Sequence, residues 1–156
     1  NEYSRFTDPE KRTLMTLWSI FRSPLMMGGH LPENDPITLE LLTNEEVIAV
    51  DQDPLGRQAR RLSDANGEQI WVKELSDGSL AVGLFYAGEE KKEPADYFTW
   101  EGPRSRTITL NAGSLGNWGS MRVRDLWRQR DLGTFSGTMP VHLPAHGVML
   151  LQARTR

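Results

Sequence analysis

The chain has 156 residues, of which 38% are hydrophobic and 25% are charged, and these proportions indicate a soluble, globular protein. Its formal net charge of -3 argues against a dedicated nucleic-acid binder, which would carry an excess of basic residues on one face. The absence of cysteine excludes disulfides and thiolate metal sites, and no apolar run approaches the roughly 20 residues of a membrane span. Neither a nucleic acid nor a membrane is therefore an expected partner.

The first predicted element is a helix that begins after Thr7. Thr7 and Glu10 have the spacing of a capping box, and Pro9 falls in the first turn, where its missing N–H costs nothing. Pro24 ends the helix. The residues that recur at helical spacing, interpreted as its core-facing side, are Leu14, Leu17, Trp18 and Phe21.

A short apolar run follows at residues 25–27, before two glycines. Because it is apolar on both sides, we predict a strand covered on both faces, as in a parallel sheet between helices. Gly29 and His30 would then lie at the carboxyl end of that strand, where sites are built in open α/β sheets and barrels. His30 is therefore a candidate pocket residue, although a loop histidine without a role is the more ordinary interpretation.

Two further short helices and a domain boundary are predicted next. Asp35 and Pro36 start one helix, and the spacing of Thr43 and Glu46 marks the start of the other. Asp53 and Pro54 begin a turn, and we place the boundary after residue 56.

Beyond the boundary the hydrophobic period changes to two, which is typical of strands. Asn66 and Gly67 form a strong hairpin signal, and the strand at 80–86 is apolar on both faces, which predicts a central position. Seven or eight short strands at this spacing predict an antiparallel β-sandwich. The predicted strand ranges are 57–64, 69–75, 80–86, 106–110, 121–128, 138–143 and 147–153.

No catalytic constellation emerges from the residues themselves, and neither a cofactor nor a metal site is predicted. Asp51 and Asp53 are separated by a single residue in or near a turn, so they cannot straddle a substrate as paired acids do. His142 and His146 lack a third ligand at suitable spacing. Among the five tryptophans, those near loops are candidates for stacking on sugars, and the remainder are interpreted as core; the loop candidates are Trp100 and Trp118.

Several stretches resemble glycoside hydrolase family 27, the retaining α-galactosidases and α-N-acetylgalactosaminidases. The resemblance is carried by residues 23–29 (SPLMMGG), 41–58 (LLTNEEVIAVDQDPLGRQ), 123–134 (VRDLWRQRDLGT) and 144–148 (PAHGV), together with Phe6 and Thr7. His30 departs from the family, which usually carries Asp at this position. The start of the chain has neither an initiator methionine nor a signal peptide, so we expect it to continue from a longer protein.

The resemblance implies a mostly β fold, in which residues 1–56 are the last α/β portion of a (β/α)8 barrel and residues 57–156 are the antiparallel β-sandwich. It also implies catalytic aspartates upstream of this sequence, a partner in the remainder of the barrel and a carbohydrate substrate. An isolated barrel edge is expected to self-associate or to dock onto other barrel material. The alternative is a non-catalytic carbohydrate-binding or accessory sandwich module.

Overall fold

The structure is a computed structural model that describes residues 4–88 and 104–155. The helices are α1 (Asp8–Ile20), α2 (Pro36–Thr43) and α3 (Glu45–Asp51), with short 3-10 turns at Leu31–Glu33 and Gly113–Leu115. The strands are β1 (Arg60–Ala65), β2 (Glu68–Glu74), β3 (Leu80–Tyr86), β4 (Ser105–Asn111), β5 (Met121–Asp125), β6 (Arg130–Phe135), β7 (Thr138–Pro144) and β8 (Val148–Thr155). None of the described helices has the length and hydropathy needed to cross a membrane.

The strands form two antiparallel sheets. The larger has six strands in the order β1-β2-β3-β8-β5-β6, and the smaller is the pair β4-β7. Side chains from both sheets share one apolar core between them; Val82 and Leu84 of β3, for example, are fully buried with Ile108 of β4 and Val141 of β7. The predicted mostly β fold with an antiparallel sandwich is confirmed.

The helices cover the other face of the six-stranded sheet, so the described part of the chain has three layers. Met15 and Ile20 of α1 pack with Val47 and Val50 of α3 in a second apolar cluster that includes Leu150 of β8. The sequences of β3 and β8 are apolar on both sides, which predicted that these strands are covered on both faces. In the structure both strands lie between the helices and the smaller sheet. Gly83 of β3 allows α1 to approach, because a β carbon there would lie 3.2 Å from Ile20 Cδ1.

Local signals account for the element boundaries that were predicted well. The Thr7–Glu10 capping box is formed, and the Asp35 carboxylate accepts a hydrogen bond from the Thr38 amide at 2.6 Å. Asn66 and Gly67 have φ angles of 54° and 74°, as the predicted two-residue hairpin turn requires.

The predicted strand at residues 25–27 is not formed. This segment is irregular, Met26 is 89% exposed and Met27 is 45% exposed. A strand in the middle of a parallel sheet is held by hydrogen bonds to neighbours on both sides, and the described residues supply no such neighbours. An apolar run predicts a buried strand only when its partners are present.

Two other expectations need correction. The predicted strand at 121–128 ends at Asp125, and the chain turns and returns as β6, which the pattern did not reveal. The Asp125 carboxylate makes this turn by accepting from the Arg128 amide at 3.1 Å and from its guanidinium at 2.7 Å. Trp127 is buried in that turn rather than in a strand, whereas Trp18, interpreted as core, is 45% exposed.

Candidate functional site

The predicted pocket residues, Gly29 and His30, lie in an exposed loop after α1. Both are exposed, and His30 precedes the 3-10 turn Leu31–Glu33, accepting a backbone hydrogen bond from Glu33 at 3.2 Å. Within residues 4–88 and 104–155, the His30 side chain has no hydrogen bond or ion pair. The pocket role of His30 therefore stays a prediction.

The surface around this loop is apolar. Met26, Met27 and Leu31 are 89%, 45% and 56% exposed, and Trp18 of the preceding helix is 45% exposed. Leu25 is half-buried against the helix-side cluster. We call the exposed set of Trp18, Met26, Met27 and Leu31 the apolar edge.

Helix α1 has two different sides, which explains why its core-facing side was mispredicted. The side that packs on the sandwich carries Met15, Thr16, Ser19 and Ile20, all buried. The two hydroxyls are satisfied within the helix, because Thr16 donates to Arg12 O at 2.7 Å and Ser19 donates to Met15 O at 2.9 Å. On the predicted side, Trp18 is exposed, whereas Phe21 packs on the helix-side cluster with its ring 4.7 Å from that of Trp71. The helix is thus suited to contacts on both sides.

The sugar-stacking candidates have different outcomes. Trp100 lies outside the described residues. Trp118 is 91% exposed in the turn after Gly113–Leu115, and its ring lies over Gly113, where a β carbon would be 3.0 Å from the ring. Among the described residues the only aromatic pair is Phe21 with Trp71, so no second ring extends Trp118 into a platform.

Asp51 and Asp53 do not form a catalytic pair. The Asp53 carboxylate is occupied by three hydrogen bonds. It accepts from the Ser76 amide at 3.0 Å and the Ser76 hydroxyl at 2.8 Å, in the turn after β2, and from the Leu55 amide at 3.0 Å. Burial alone would raise the pKa of Asp53, but these hydrogen bonds outweigh it and hold the pKa below its ordinary value. Asp53 therefore fastens the end of the helical segment to the β2–β3 turn.

Asp51 lies in a buried charged cluster with Lys73. Lys73 is fully buried, and its ammonium donates to Val50 O and, at 3.5 Å, to Ser19 O. Asp51 is 9% exposed, and its Oδ1 atom is buried without a hydrogen-bond partner among the described residues. Burial lowers the pKa of Lys73 and raises the pKa of Asp51, while the charge of each favours the charged form of the other.

Several other directed contacts join the helices to the sandwich. Trp127 Nε1 donates to Thr16 Oγ1 at 2.8 Å, and the Arg124 guanidinium makes two bonds to Glu46, at 2.6 and 2.8 Å. Asn44 caps α3 and also donates to Leu126 O at 3.0 Å. These hydrogen bonds and this ion pair, together with the apolar contacts, fix the orientation of the helices on the sandwich. We call this contact region the junction.

At the opposite end of α1, a histidine fixes the helix to the β7–β8 turn. His146 Nδ1 lies 2.7 Å from the Glu10 carboxylate, and its carbonyl accepts from the Thr13 hydroxyl at 2.6 Å. Burial would raise the pKa of Glu10, but hydrogen bonds from Thr7 and His146 hold the pKa below its ordinary value. The second predicted histidine, His142, lies 3.2 Å from the Thr107 hydroxyl.

A polar cleft of about 720 Å³ is lined by residues of α1 and α2 and by residues of β7 and of the β5–β6 and β7–β8 turns. Arg12 lies in this cleft, 5.8 Å from the Trp127 ring centroid and 3.9 Å from the Glu40 carboxylate. Asp125 and Arg128, paired at 2.7 Å, line the opposite wall. Throughout residues 4–88 and 104–155 there is no group of three or more histidine or acidic residues placed to hold a metal ion.

The junction residues were not found from the sequence. Lys73 follows Trp71 on the same face of β2, and a lysine in an alternating strand is normally interpreted as solvent-exposed. The available signal was that β3 and β8 are apolar on both faces, which requires a layer on each face of the sheet. With that layer in place, Lys73 becomes a buried residue that needs partners.

Comparison with known proteins agrees with this architecture. A family model described as "Alpha galactosidase C-terminal beta sandwich domain" matches residues 65–153, and one described as "Alpha galactosidase A" matches residues 4–53. The chain belongs to the α-galactosidase family, glycoside hydrolase family 27, and corresponds to the C-terminal portion of its members.

Individual relatives place the chain within much longer proteins. It is 38% identical over 142 residues to a probable alpha-galactosidase of Dictyostelium discoideum, covering 87% of this chain and 33% of that protein. A family 27 β-L-arabinopyranosidase from Geobacillus stearothermophilus matches 99% of this chain and 32% of its own, with 36% identity and a TM-score of 0.84. Alpha-galactosidase I from Mortierella vinacea matches with a TM-score of 0.82 and 29% identity, over 95% of this chain and 36% of its own. The chain thus spans about a third of the relatives that it matches.

Proposed function

We propose that this chain is the C-terminal part of a retaining glycoside hydrolase that cleaves terminal α-galactosides or related α-glycosides. The activities by which its relatives are named, α-galactosidase and β-L-arabinopyranosidase, support this substrate class. The catalytic aspartates belong upstream of residue 1. In this proposal residues 1–56 are the end of the (β/α)8 barrel, and residues 57–156 are the sandwich domain.

The reaction requires two carboxyl groups on opposite sides of the scissile bond. In a retaining enzyme they are about 5 Å apart; one attacks the anomeric carbon, and the other protonates the leaving oxygen and then activates water. Asp51 and Asp53 do not meet this requirement, because one is buried beside Lys73 and the other is bonded to Ser76. We therefore assign this chain a wall of the barrel and a stabilising domain, with Gly29 and His30 at the pocket rim.

The single observation that carries the proposal is the two-sided character of α1. The side with Met15, Thr16, Ser19 and Ile20 is buried on the sandwich, while the apolar edge, which includes Trp18, remains exposed. A barrel helix packs its apolar side against the barrel strands. The upstream barrel strands are the occupant that we assign to the apolar edge, in agreement with relatives about three times as long.

A chromogenic α-galactoside tests the assignment. This chain alone should give no turnover, and co-expression with the upstream segment of the Mortierella α-galactosidase should restore hydrolysis through docking of the two pieces. Turnover by this chain alone would show that the acids lie within it. Complementation that survives Trp18→Glu with Met26→Lys would contradict docking at the apolar edge, since both changes place charge on that surface.

In isolation the apolar edge should also cause reversible self-association. Sedimentation velocity should show a concentration-dependent dimer that the Trp18→Glu, Met26→Lys variant converts to a monomer. Leu55→Glu provides a matched control, because Leu55 is similarly exposed, at 43%, but lies outside the apolar edge. A wild-type chain that remains monomeric at high concentration would oppose this part of the proposal.

Exposure of Trp118 supports a second candidate function, sugar binding by the sandwich. A tryptophan ring that is 91% exposed offers a face on which a pyranose can stack. Galactose and α-galactobiose should then shift the Trp118 indole resonance, and Trp118→Ala should abolish binding. An unshifted resonance at saturating sugar would eliminate this function without affecting the first.

A further inference from the structure

The helix side of the six-stranded sheet contains a charge with no role in the proposed function. Lys73 is the only buried lysine or arginine among residues 4–88 and 104–155, and it projects from β2 toward the helices. Burying an unpaired ammonium is strongly unfavourable, so a lysine at 0% exposure requires specific partners. The identity of these partners indicates its role.

The partners are the carbonyl ends of two helices. Lys73 Nζ donates to Val50 O, in the last turn of α3, and to Ser19 O, in the last turn of α1, at 3.5 Å. The carbonyls at a helix C-terminus lack partners within the helix and carry partial negative charge, which favours a cation. One ammonium thus binds the ends of two different helices from a strand beneath both.

A nearly buried carboxylate lies next to this contact. Asp51 follows Val50 directly in the chain, and the charges of Asp51 and Asp53 partly offset the lowering of the Lys73 pKa by burial. Arg22, just after α1, is the other charged group that faces the pair, and it opposes the Lys73 charge while favouring that of Asp51. The cluster of Arg22, Asp51, Asp53 and Lys73 therefore contains residues from both sides of the predicted domain boundary at residue 56.

We infer that Lys73 is a buried connector, bonded to the carbonyl ends of α1 and α3 beside the Asp51 carboxylate, that makes these helices and the six-stranded sheet open as one cooperative unit. The folding unit then crosses the predicted domain boundary. The helices that precede the boundary are held in place by their contacts with the sandwich. Lys73 acts as a positioning residue for these helices. This inference depends on contacts within the chain and stands independently of the proposed glycosidase activity.

Native-state hydrogen exchange on the full 156-residue chain tests the inference. In the wild type, the slowest amides of α1 and α3 should exchange at the same rate as those of β3 and β8, because all report one opening. Lys73→Met retains the aliphatic stem and removes the ammonium. It should lower protection of the helix amides at least tenfold relative to the sheet amides.

Asp51→Asn distinguishes ionic connection from packing. In the Lys73→Met background it removes a nearly buried carboxylate that no longer has the Lys73 charge in its cluster, so it should recover a several-fold part of the lost protection. Lys11→Met is the matched control, because Lys11 makes its ion pair near the other end of α1, with Asp35 at 2.8 Å, and should leave the helix-to-sheet ratio unchanged.

Three results would overturn the inference: separate exchange of helices and sheet in the wild type, an unchanged ratio in Lys73→Met, or no recovery with Asp51→Asn. If Lys73→Met does not fold, recovery of folding by the added Asp51→Asn serves as the same test. The wild-type comparison remains decisive even if both variants fail to fold.

Discussion

The two faces of the six-stranded sheet are buried in different ways. The face toward β4 and β7 is apolar, with Val82, Leu84 and Leu151 packed against side chains such as Ile108. The face toward the helices mixes apolar residues with directed polar contacts from Lys73, Trp127 and Arg124. Apolar burial supplies much free energy but little direction, whereas hydrogen bonds and ion pairs fix the orientation of an added layer. The face toward β4 and β7 therefore contributes mainly to the stability of the fold, and the face toward the helices also fixes their orientation.

The largest expected effect comes from the apolar face. Leu84→Ala should lower the free energy of unfolding by about 4 kcal/mol, because both sheets hold the cavity open. Leu150→Ala, equally buried on the helix face, should cost about 2 kcal/mol, because only one layer of short helices covers it and can move into the space. Urea unfolding of both variants measures the difference, and a reversed order would contradict the proposed contrast between the faces.

The indole hydrogen bond across the junction should have a smaller effect. Trp127→Phe removes the donor to Thr16 Oγ1 and should cost about 1–2 kcal/mol, measured by urea unfolding. Thr16→Val removes the acceptor, so the double variant should be clearly less destabilised than the sum of the single variants. Additive effects would mean that the two side chains act independently and that this bond does not position α1.

How much of this arrangement the sequence predicts depends on whether a signal is local. The Thr7–Glu10 capping box and the Asn66–Gly67 turn depend on neighbouring residues, and both were predicted correctly. Trp18 and the run at 25–27 were mispredicted because an apolar pattern does not show whether a covering layer is present, and the described residues provide none for Trp18, Met26 and Met27. Lys73 was missed because its partners, Ser19 and Val50, are 54 and 23 residues away and are backbone atoms without a sequence signature.

The ion pair between Arg124 and Glu46 should contribute modestly and depend on salt. Glu46→Gln should lower the thermal midpoint at low ionic strength, and the loss should shrink in molar salt because the pair is partly exposed. Glu45→Gln, an exposed neighbour on the same helix, is the matched control and should change the midpoint little. An equal effect of the two changes would assign the loss to net charge.

The smallest expected effect is an acid-dependent one at Glu10. Because folding lowers the pKa of Glu10, its contribution is complete above the ordinary value of 4.5 and is lost as pH falls through the lower folded value. Glu10→Gln should therefore be less stable than the wild type at neutral pH and approach it in acid. Thermal midpoints of the wild type and the variant across this pH range test the prediction. A difference that does not change with pH would show that the negative charge of Glu10 is not the source of its contribution.

The borders of the larger sheet limit how such a chain aggregates. β1 and β6 are its outermost strands, and each carries arginine and aspartate together with a register shift in its pairing, at Arg61/Ser63 and at Val123/Arg124. Charges and bulges on an outer strand prevent another chain from adding to it by backbone hydrogen bonding. Aggregation of the isolated chain should accordingly proceed through side chains of its helical layer. The resulting assemblies should dissolve in mild detergent and should not bind amyloid dyes.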